Sequence, residues 1–130
     1  MAKPKSRGGR FDPGTKNSYL ELIRDRIREN IEVKTALFEH VGTIAEIAHA
    51  IIEAYGNGGR AFLFGNGGSA ADAQHIAAEL SGRFYLERPG LPAEALNVNS
   101  SVVTAIGNDY SFDKVFARQL EASGGKNDIA

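Results

Sequence analysis

The sequence predicts an α/β protein in which a parallel sheet is flanked by helices. Two short stretches with strand character, residues 60–64 and 93–98, are separated by a segment with helical periodicity, and two helical segments precede them both. Strands that are connected through a helix normally lie parallel in one sheet. We therefore expect two N-terminal helices over residues 17–56 and the first part of an α/β sandwich over residues 57–130.

Composition limits the size and the chemistry of this protein. A chain of 130 residues with 42% hydrophobic content is the size of one domain, and its net charge of -1 argues against binding nucleic acid or an anionic membrane through bulk charge. The absence of cysteine excludes disulfides and thiolate metal sites and fits a reducing, cytoplasmic location. No apolar run approaches the length of a membrane-spanning helix.

Residues 1–16 differ in composition from the rest of the chain. Five basic side chains stand against one acidic side chain, with glycine and proline between them, and this predicts a flexible tail. The segment lacks the apolar core of a secretory signal. We interpret it as a solubilising or vector-derived arm, with contact to nucleic acid as the alternative.

Two amphipathic helices are expected next. Ser18 with Glu21, and Thr43 with Glu46, have the spacing of a capping box that opens a helix, and the glycine-rich stretch 56–59 ends the second one. Their apolar positions recur every three or four residues and outnumber what a small sheet covers, so we predict that they assemble at least two copies of the chain. These positions are Leu20, Ile23, Ile27, Ile31, Leu37, Phe38, Ile44, Ile47, Ile51 and Ile52.

The loop of residues 65–69 joins the first strand to an alanine-rich helix over residues 69–82. Its three glycines allow a tight turn and a close approach of a ligand to the backbone. The helix N-terminus behind them offers free N–H groups and a partial positive charge to an anion. We therefore expect a phosphate or sugar hydroxyls at this loop. The alternative is a purely structural turn in which Ser69 is the N-cap of the helix.

Two other phosphate-binding motifs fit this loop poorly. It lacks the lysine of a P-loop, which argues against hydrolysis of a nucleoside triphosphate. Gly65, Gly67 and Ala70 match the G-x-G-x-x-A pattern of dinucleotide-binding folds. That fold places an acidic residue at the end of the next strand, where this chain has Asn97 and Asn99, so dinucleotide binding is the weaker alternative.

The helix that follows the loop carries a polar face beside an apolar one. The apolar positions are Ala73, Ile76, Ala77 and Leu80, and the polar ones are Asp72, His75, Glu79 and Arg83. A histidine and a glutamate one turn apart can bind one metal ion together or act as an acid–base pair. We predict that His75 and Glu79 face the same cleft as the loop. The alternative is a solvated helix face with an ion pair.

The C-terminal part is expected to contain two more helices and the start of a third strand. The helices cover residues 101–106 and 111–122, and the strand begins at residues 128–130. Asn108 and Asp109 follow the first of these helices, where we expect them to cap it and turn the chain. A sheet of two strands and a stub is too small to stand alone, so we expect further residues or another chain to complete it.

Several segments, in order, resemble the sugar-isomerase (SIS) domain family and, within it, the phosphoheptose isomerases. These segments are residues 65–69, 72–75, 78–80, 82–84, 88–90 and 106–109, and the resemblance covers roughly residues 18–130. It implies a flavodoxin-like parallel sheet, a helical N-terminus that packs in a homotetramer, and active sites at subunit interfaces.

The resemblance also implies a reaction and a set of site residues. Phosphoheptose isomerases interconvert sedoheptulose 7-phosphate and D-glycero-D-manno-heptose 7-phosphate by moving a proton between C1 and C2 through an enediolate, a step toward bacterial surface polysaccharide. By resemblance, Glu79 is the acid–base residue, and it and His75 bind zinc in zinc-containing members. The positions that match substrate-binding ones are Asn66, Gly67, Gly68, Ser69 and Asp109.

This chain departs from the family pattern. The family's second half supplies a phosphate loop and a later glutamine and histidine, none of which this chain contains, and two ligands alone do not make a tight tetrahedral zinc site. We therefore expect no turnover from residues 1–130 by themselves. Two alternatives are a non-catalytic SIS-fold protein that binds the bacterial replication initiator and a sugar-phosphate-binding module. Glu79 favours the isomerase, because replication-associated relatives lack an acid at that position.

Overall fold

A computed structural model describes residues 14–130, so most of the predicted tail lies outside the described residues. The chain divides into two compact units, Met1–Gly42 and Thr43–Ala130. In chain order the elements are α1 (Lys16–Ala36), a 3-10 helix (Leu37–His40), α2 (Val41–Gly56), β1 (Ala61–Leu63), α3 (Gly68–Ser81), β2 (Ala93–Ala95), α4 (Ser100–Asp109), a 3-10 turn (Phe112–Lys114) and α5 (Val115–Ser123). The predicted order of helices and strands is confirmed.

Helix α1 begins three residues earlier than the capping pattern predicted. Thr15 is the N-cap: its side-chain oxygen accepts from the Ser18 amide at 3.3 Å, and the Ser18 hydroxyl accepts from the Thr15 amide at 3.0 Å. Ser18 therefore closes the box from inside the helix, and the prediction that it opens the helix with Glu21 is wrong. A threonine three residues upstream offers the same cap, and Glu21 instead pairs with Arg24 at 2.6 Å.

The prediction that Thr43 caps the second helix is also wrong. Helix α2 begins at Val41, so Thr43 lies inside its first turn. The backbone of Ala36 and of Val41, on either side of the 3-10 helix, stays in the right-handed helical region, and no extended residue is present there for a capping side chain. Neither α1 nor α2 contains a buried residue, and apolar side chains such as Ile23 (54% exposed) and Ile47 (57% exposed) are uncovered.

The sheet is parallel, as predicted. Strand β1 pairs with β2 in the register Ala61↔Ala93 and Leu63↔Ala95, and Ile129 pairs with the other side of Ala61 in a parallel bridge. Both strands are shorter than predicted, since the last backbone bond between them runs from the Leu96 amide to Leu63 (2.9 Å). The chain then leaves the sheet into loops that contain the candidate site.

Helices cover both faces of this sheet. On one face, the small side chains of Ala73 and Ala77 in α3 pack against Leu63 and Ala95. Successive strand residues point to opposite faces, so Phe64 lies on the other one. Its ring stacks on Phe116 of α5, with 4.9 Å between centroids. Ala73 and Ala77 are thus buried as predicted, whereas Ile76, which was assigned to the same apolar face, is 45% exposed.

The C-terminal helices differ in their bounds from the prediction. Asn99 caps α4, because its side-chain oxygen accepts from the Val102 amide at 3.1 Å, and the helix continues through Asn108 to Asp109. The expectation that Asn108 and Asp109 follow the helix as a cap is therefore wrong, and Tyr110 takes that position. None of the helices within residues 14–130 has the length and apolar character needed to cross a membrane.

Candidate functional site

The loop of residues 65–69 connects β1 to α3 in a conformation that requires glycine. Gly67 is the N-cap of α3 and has φ +56, a left-handed value that other residues rarely adopt. Ser69 therefore lies in the first turn of the helix, and the alternative that it is the N-cap is wrong. Backbone groups close the turn instead, since the Ser69 amide donates to Asn66 at 3.1 Å and the Ala70 amide donates to Gly67 at 3.2 Å.

These bonds determine which N–H groups of the loop can meet a ligand. The amides of Ser69 and Ala70 are engaged, while within residues 14–130 those of Gly67 and Gly68 donate to no protein acceptor. A Cβ built at Gly68 meets nothing within 4 Å, so the space in front of the helix N-terminus is open. Two amides and the positive end of a 14-residue helix thus face solvent, which suits an anion.

Asn97 fixes the start of the loop. In the sequence this residue was notable only because it stands where a dinucleotide-binding fold has an acidic residue. Asn97, just beyond β2, donates from Nδ2 to the carbonyl oxygen of Gly65. Its Oδ1 is buried and, within the described residues, has no hydrogen-bond partner. A Cβ at Gly65 would lie 2.6 Å from Cβ of Ser69, so this position also needs glycine. The sequence did contain a signal for Asn97, because it follows the second strand, and polar residues at the carboxyl ends of parallel strands commonly form ligand-binding sites.

A cleft of about 380 Å³ lies beside the loop, between β1 and the first turns of α3. Its polar side chains are Ser69 and Asp72, and its lining does not include His75 or Glu79. Asp72 is therefore the acidic residue that lines the cleft beside the loop. The prediction that His75 and Glu79 share a cleft with the loop remains a prediction.

His75 and Glu79 do lie side by side on α3. The distance between Nε2 of His75 and Oε1 of Glu79 is 3.8 Å, and the side chains are 74% and 35% exposed. The pair is close enough to bind one ion or to exchange a proton through a bound ligand. Within residues 14–130 no group of three or more metal-binding side chains exists, so this pair offers a nitrogen and a carboxylate donor suited to zinc but not a complete site.

The remaining candidate residues make their side-chain contacts outside the loop. Arg83 pairs with Glu87 at 2.9 Å beyond the end of α3. Asp109 is exposed at the last position of α4 and accepts from Nδ2 of Asn108 at 3.0 Å. No hydrogen bond among the described residues connects Asp109 with the glycine loop. The structure thus brings together the loop, Ser69 and Asp72 at one end of α3, and His75 with Glu79 further along it.

A family model for the SIS domain matches residues 19–129, and the chain belongs to this family. The fold is that of an SIS domain. Among proteins of assigned function, the chain is similar to phosphoheptose isomerases. It is 48% identical over 112 residues to that of Aneurinibacillus thermoaerophilus and 51% identical over 112 residues to that of Aquifex aeolicus.

Solved structures agree with the sequence relatives. A phosphoheptose isomerase from Francisella tularensis superposes with a TM-score of 0.80 at 35% identity, covering 85% of this chain and 59% of that one. The enzyme from Neisseria gonorrhoeae gives a TM-score of 0.72 at 37% identity, with 88% and 58% covered. The alignments cover 84% and 85% of this chain but only 57% and 59% of the Aneurinibacillus and Aquifex relatives. These matches confirm the predicted fold class, an α/β SIS domain.

Proposed function

We propose that this protein acts as a phosphoheptose isomerase, which interconverts sedoheptulose 7-phosphate and D-glycero-D-manno-heptose 7-phosphate. The observation that carries the proposal is that α3 joins an open anion-binding loop at its N-terminus to Glu79 in its last turn. The identity of 48–51% to phosphoheptose isomerases supports it. In this assignment Asn66, Gly67, Gly68 and Ser69 bind the substrate at the loop.

Glu79 is assigned the proton transfer. Its carboxylate would remove the proton from one carbon of the sugar and return it to the neighbouring carbon, while donors at the oxygens stabilise the enediolate between these steps. The side chain is half-buried and stands one turn from His75, an arrangement that keeps it accessible to a ligand. Asp109 is assigned to the substrate through the resemblance, as a side chain that would bind a sugar hydroxyl.

The active sites are assigned to the interfaces between copies of the chain, as the resemblance to phosphoheptose isomerases implies. We assign the assembly as a homotetramer formed through α1 and α2, whose apolar side chains are exposed in this chain.

Zinc is assigned to the same helix. His75 and Glu79 would supply two of its ligands, and the others would come from residues outside the described chain or from another copy. Zinc would supply charge stabilisation at the sugar oxygens. A test without substrate is zinc binding by the protein and by His75→Ala, in which the loss of one ligand weakens the affinity.

The test of the function uses a fusion. Residues 1–130 are joined to the part of the Aneurinibacillus thermoaerophilus enzyme that follows its match to this chain, and isomerisation of sedoheptulose 7-phosphate is measured. We expect turnover from the fusion and none from residues 1–130 alone. Glu79→Gln should lower kcat with little change in KM, since an amide binds similarly but does not accept the proton.

A matched control is available on α2. His49 and Glu53 form a second pair with i,i+4 spacing at 3.6 Å, so Glu53→Gln repeats the same change outside the site and should leave kcat unaltered. An inactive fusion that still binds the sugar phosphate would favour the non-catalytic binding module. A normal kcat in Glu79→Gln would show that Glu79 does not transfer the proton. A fusion that binds the replication initiator but no sugar phosphate would favour the replication-associated alternative.

A further inference from the structure

The C-terminal end of α3 is capped by a side chain from the loop that follows the helix. The last four carbonyls of a helix have no partner within it and need one elsewhere. Here Arg88 donates from Nη2 to the carbonyl oxygen of Glu79 at 3.0 Å and from Nη1 to that of Leu80 at 2.9 Å. The backbone of Gly82 does not adopt the left-handed conformation that usually ends a helix, since its φ is -87. The arginine replaces that motif.

The loop of residues 82–92 holds Arg88 against the helix. The Leu91 amide also donates to Leu80, at 2.9 Å, and Nη1 of Arg88 donates to Pro89 at 2.9 Å. A Cβ at Gly90 would lie 2.3 Å from the carbonyl oxygen of Ser81, so the loop passes in direct contact with the helix end. The guanidinium therefore has a fixed position rather than a choice of conformations.

The position also suits the charge and shape of arginine. A guanidinium carries a positive charge to the negative end of the helix, and its rigid planar fork bonds two neighbouring carbonyls in a fixed geometry that a lysine lacks. Arg88 is half-buried, close to Tyr55, whose hydroxyl donates to Pro92 at 3.1 Å. Burial raises the pKa of Tyr55, and the charge of Arg88 opposes that rise. The cap is thus one part of a packed corner of the fold.

We propose that Arg88 is the positioning residue for Glu79: by bonding the carbonyls of Glu79 and Leu80 it keeps the last turn of α3 helical and so fixes where the Glu79 carboxylate stands. Its relevance to catalysis rests on the proposed isomerase function, but the positioning itself does not. An uncapped last turn of a helix frays, and a side chain on that turn loses its fixed orientation. Glu79 is two residues from the end of α3, within that turn.

The first test measures whether the last turn of α3 is ordered, and it needs no enzymatic activity. Glu79→His places two histidines one turn apart on α3, a pair that binds Zn²⁺ when the turn is helical. In residues 1–130 we expect Arg88→Gln to weaken the Zn²⁺ affinity of Glu79→His by about 10-fold, the scale of lost supporting contacts at metal sites. Arg88→Lys, which keeps the charge but not the fork, should lose less. The double variant Glu79→His with His75→Ala lacks the histidine pair, so its Zn²⁺ binding measures the contribution of other groups.

The control is Arg118→Gln, which makes the same change where arginine contacts Tyr110 and Glu121 and should leave the Zn²⁺ affinity unaltered. Circular dichroism at low temperature confirms that each variant is folded, so that a change in affinity reports the turn and not global unfolding. Zn²⁺ affinity that is equal with and without Arg88 overturns the proposal, whatever the activity of the protein.

The second test uses the active fusion. If Arg88 positions Glu79, Arg88→Gln lowers kcat by about 10-fold or more with a smaller change in KM, and Arg88→Lys recovers part of the loss. A rise in KM alone, with kcat unchanged, overturns the catalytic part of the proposal. An inactive parent fusion counts against the isomerase function only, because the zinc measurement still decides whether Arg88 orders the turn.

Discussion

The side-chain amide of Asn97 donates a hydrogen bond to the carbonyl oxygen of Gly65, thirty-two positions earlier in the chain. This bond joins the segment after β2 to the segment after β1 at the point where the backbone ladder between the strands has ended. The start of the glycine loop is thus fixed by one side chain and not by the sheet. Because a half-buried carbonyl that loses its partner is costly, Asn97 contributes to stability as well as to the geometry of the loop.

The first prediction concerns the donor in this bond. Asn97→Asp replaces the Nδ2 donor by a carboxylate oxygen that faces the Gly65 carbonyl, and we expect a loss of about 1–3 kcal/mol in the free energy of unfolding at neutral pH. At low pH the protonated acid donates again, so part of the loss should be recovered. Urea denaturation at both pH values measures this.

The control for that change is two residues away. Asn99 caps α4 by accepting the Val102 amide, and aspartate accepts equally well at an N-cap, so Asn99→Asp should be close to neutral. Equal unfolding curves for Asn97→Asp and the parent chain would show that the bond to Gly65 is not formed in solution.

A second prediction separates the structural glycine of the loop from the ligand-facing one. Gly65→Ala brings a Cβ to 2.6 Å from Cβ of Ser69 and 3.1 Å from its carbonyl carbon, so the loop must shift, and we expect a loss of about 1–3 kcal/mol in the free energy of unfolding. Gly68→Ala adds the same methyl where nothing lies within 4 Å and should change stability by less than about 1 kcal/mol. Thermal unfolding of the two variants gives the comparison, and equal midpoints would contradict the prediction.

A third prediction concerns binding at the loop. Gly68→Val should retain the fold, since the position is open, while its methyl groups occupy the space in front of the Gly67 and Gly68 amides. We expect sedoheptulose 7-phosphate binding, measured by calorimetry, to be lost with the helical circular dichroism signal unchanged. Gly42→Val on α2, also in open space, is the matched control and should bind normally. Full affinity in Gly68→Val would leave the loop as a structural turn only.

Local patterns in the sequence predicted part of this site, and contacts that follow no helical or strand spacing account for what they missed. The loop and the His75–Glu79 pair were found because their geometry follows from neighbours three or four positions away. The bond of Asn97 to Gly65 joins two segments that only the folded chain brings together. The bond of Arg88 to Glu79 depends on the path of the irregular loop after α3. No periodicity records such contacts.

The same reasoning explains the errors at helix ends. Thr15 and Ser18 are both residues that favour the N-cap position. Thr15 takes it because of the backbone before it, where Gly14 has φ +58. In α3, a backbone turn around Gly67 replaces the side-chain cap that Ser69 would provide. The alternation of helices and strands was predicted correctly because it depends on many residues at once, whereas an end depends on one or two.

The last prediction concerns stability against pH at Asp128. Its Oδ1 accepts from the Arg60 amide at 2.9 Å and its Oδ2 from the Gly125 amide at 2.8 Å, and the side chain is 13% exposed. These two hydrogen bonds, that from Gly125 foremost, lower the pKa of Asp128, with a smaller contribution from the Arg60 guanidinium at 3.7 Å. The carboxylate thereby ties the entry of β1 to the turn that precedes Ile129.

The sign follows from linkage. Because the pKa is lower in the folded than in the unfolded chain, the unfolded chain binds more protons at low pH. The stabilisation by Asp128 is therefore complete above the unfolded pKa of about 3.9 and is lost as the pH falls through the folded value. Asp128→Asn cannot accept both amides, so it should be less stable than the parent chain at neutral pH, and the difference should shrink as the pH falls below about 4.

Urea denaturation of both chains between about pH 3 and about pH 7 measures this difference. Asp25→Asn is the control, because it removes a carboxylate of ordinary exposure from an ion pair with Arg28 at 2.8 Å, and such surface pairs contribute little. A difference between Asp128→Asn and the parent that is constant over the whole range would show that the effect comes from packing and not from the charge. A difference that grows toward low pH would contradict the lowered pKa itself.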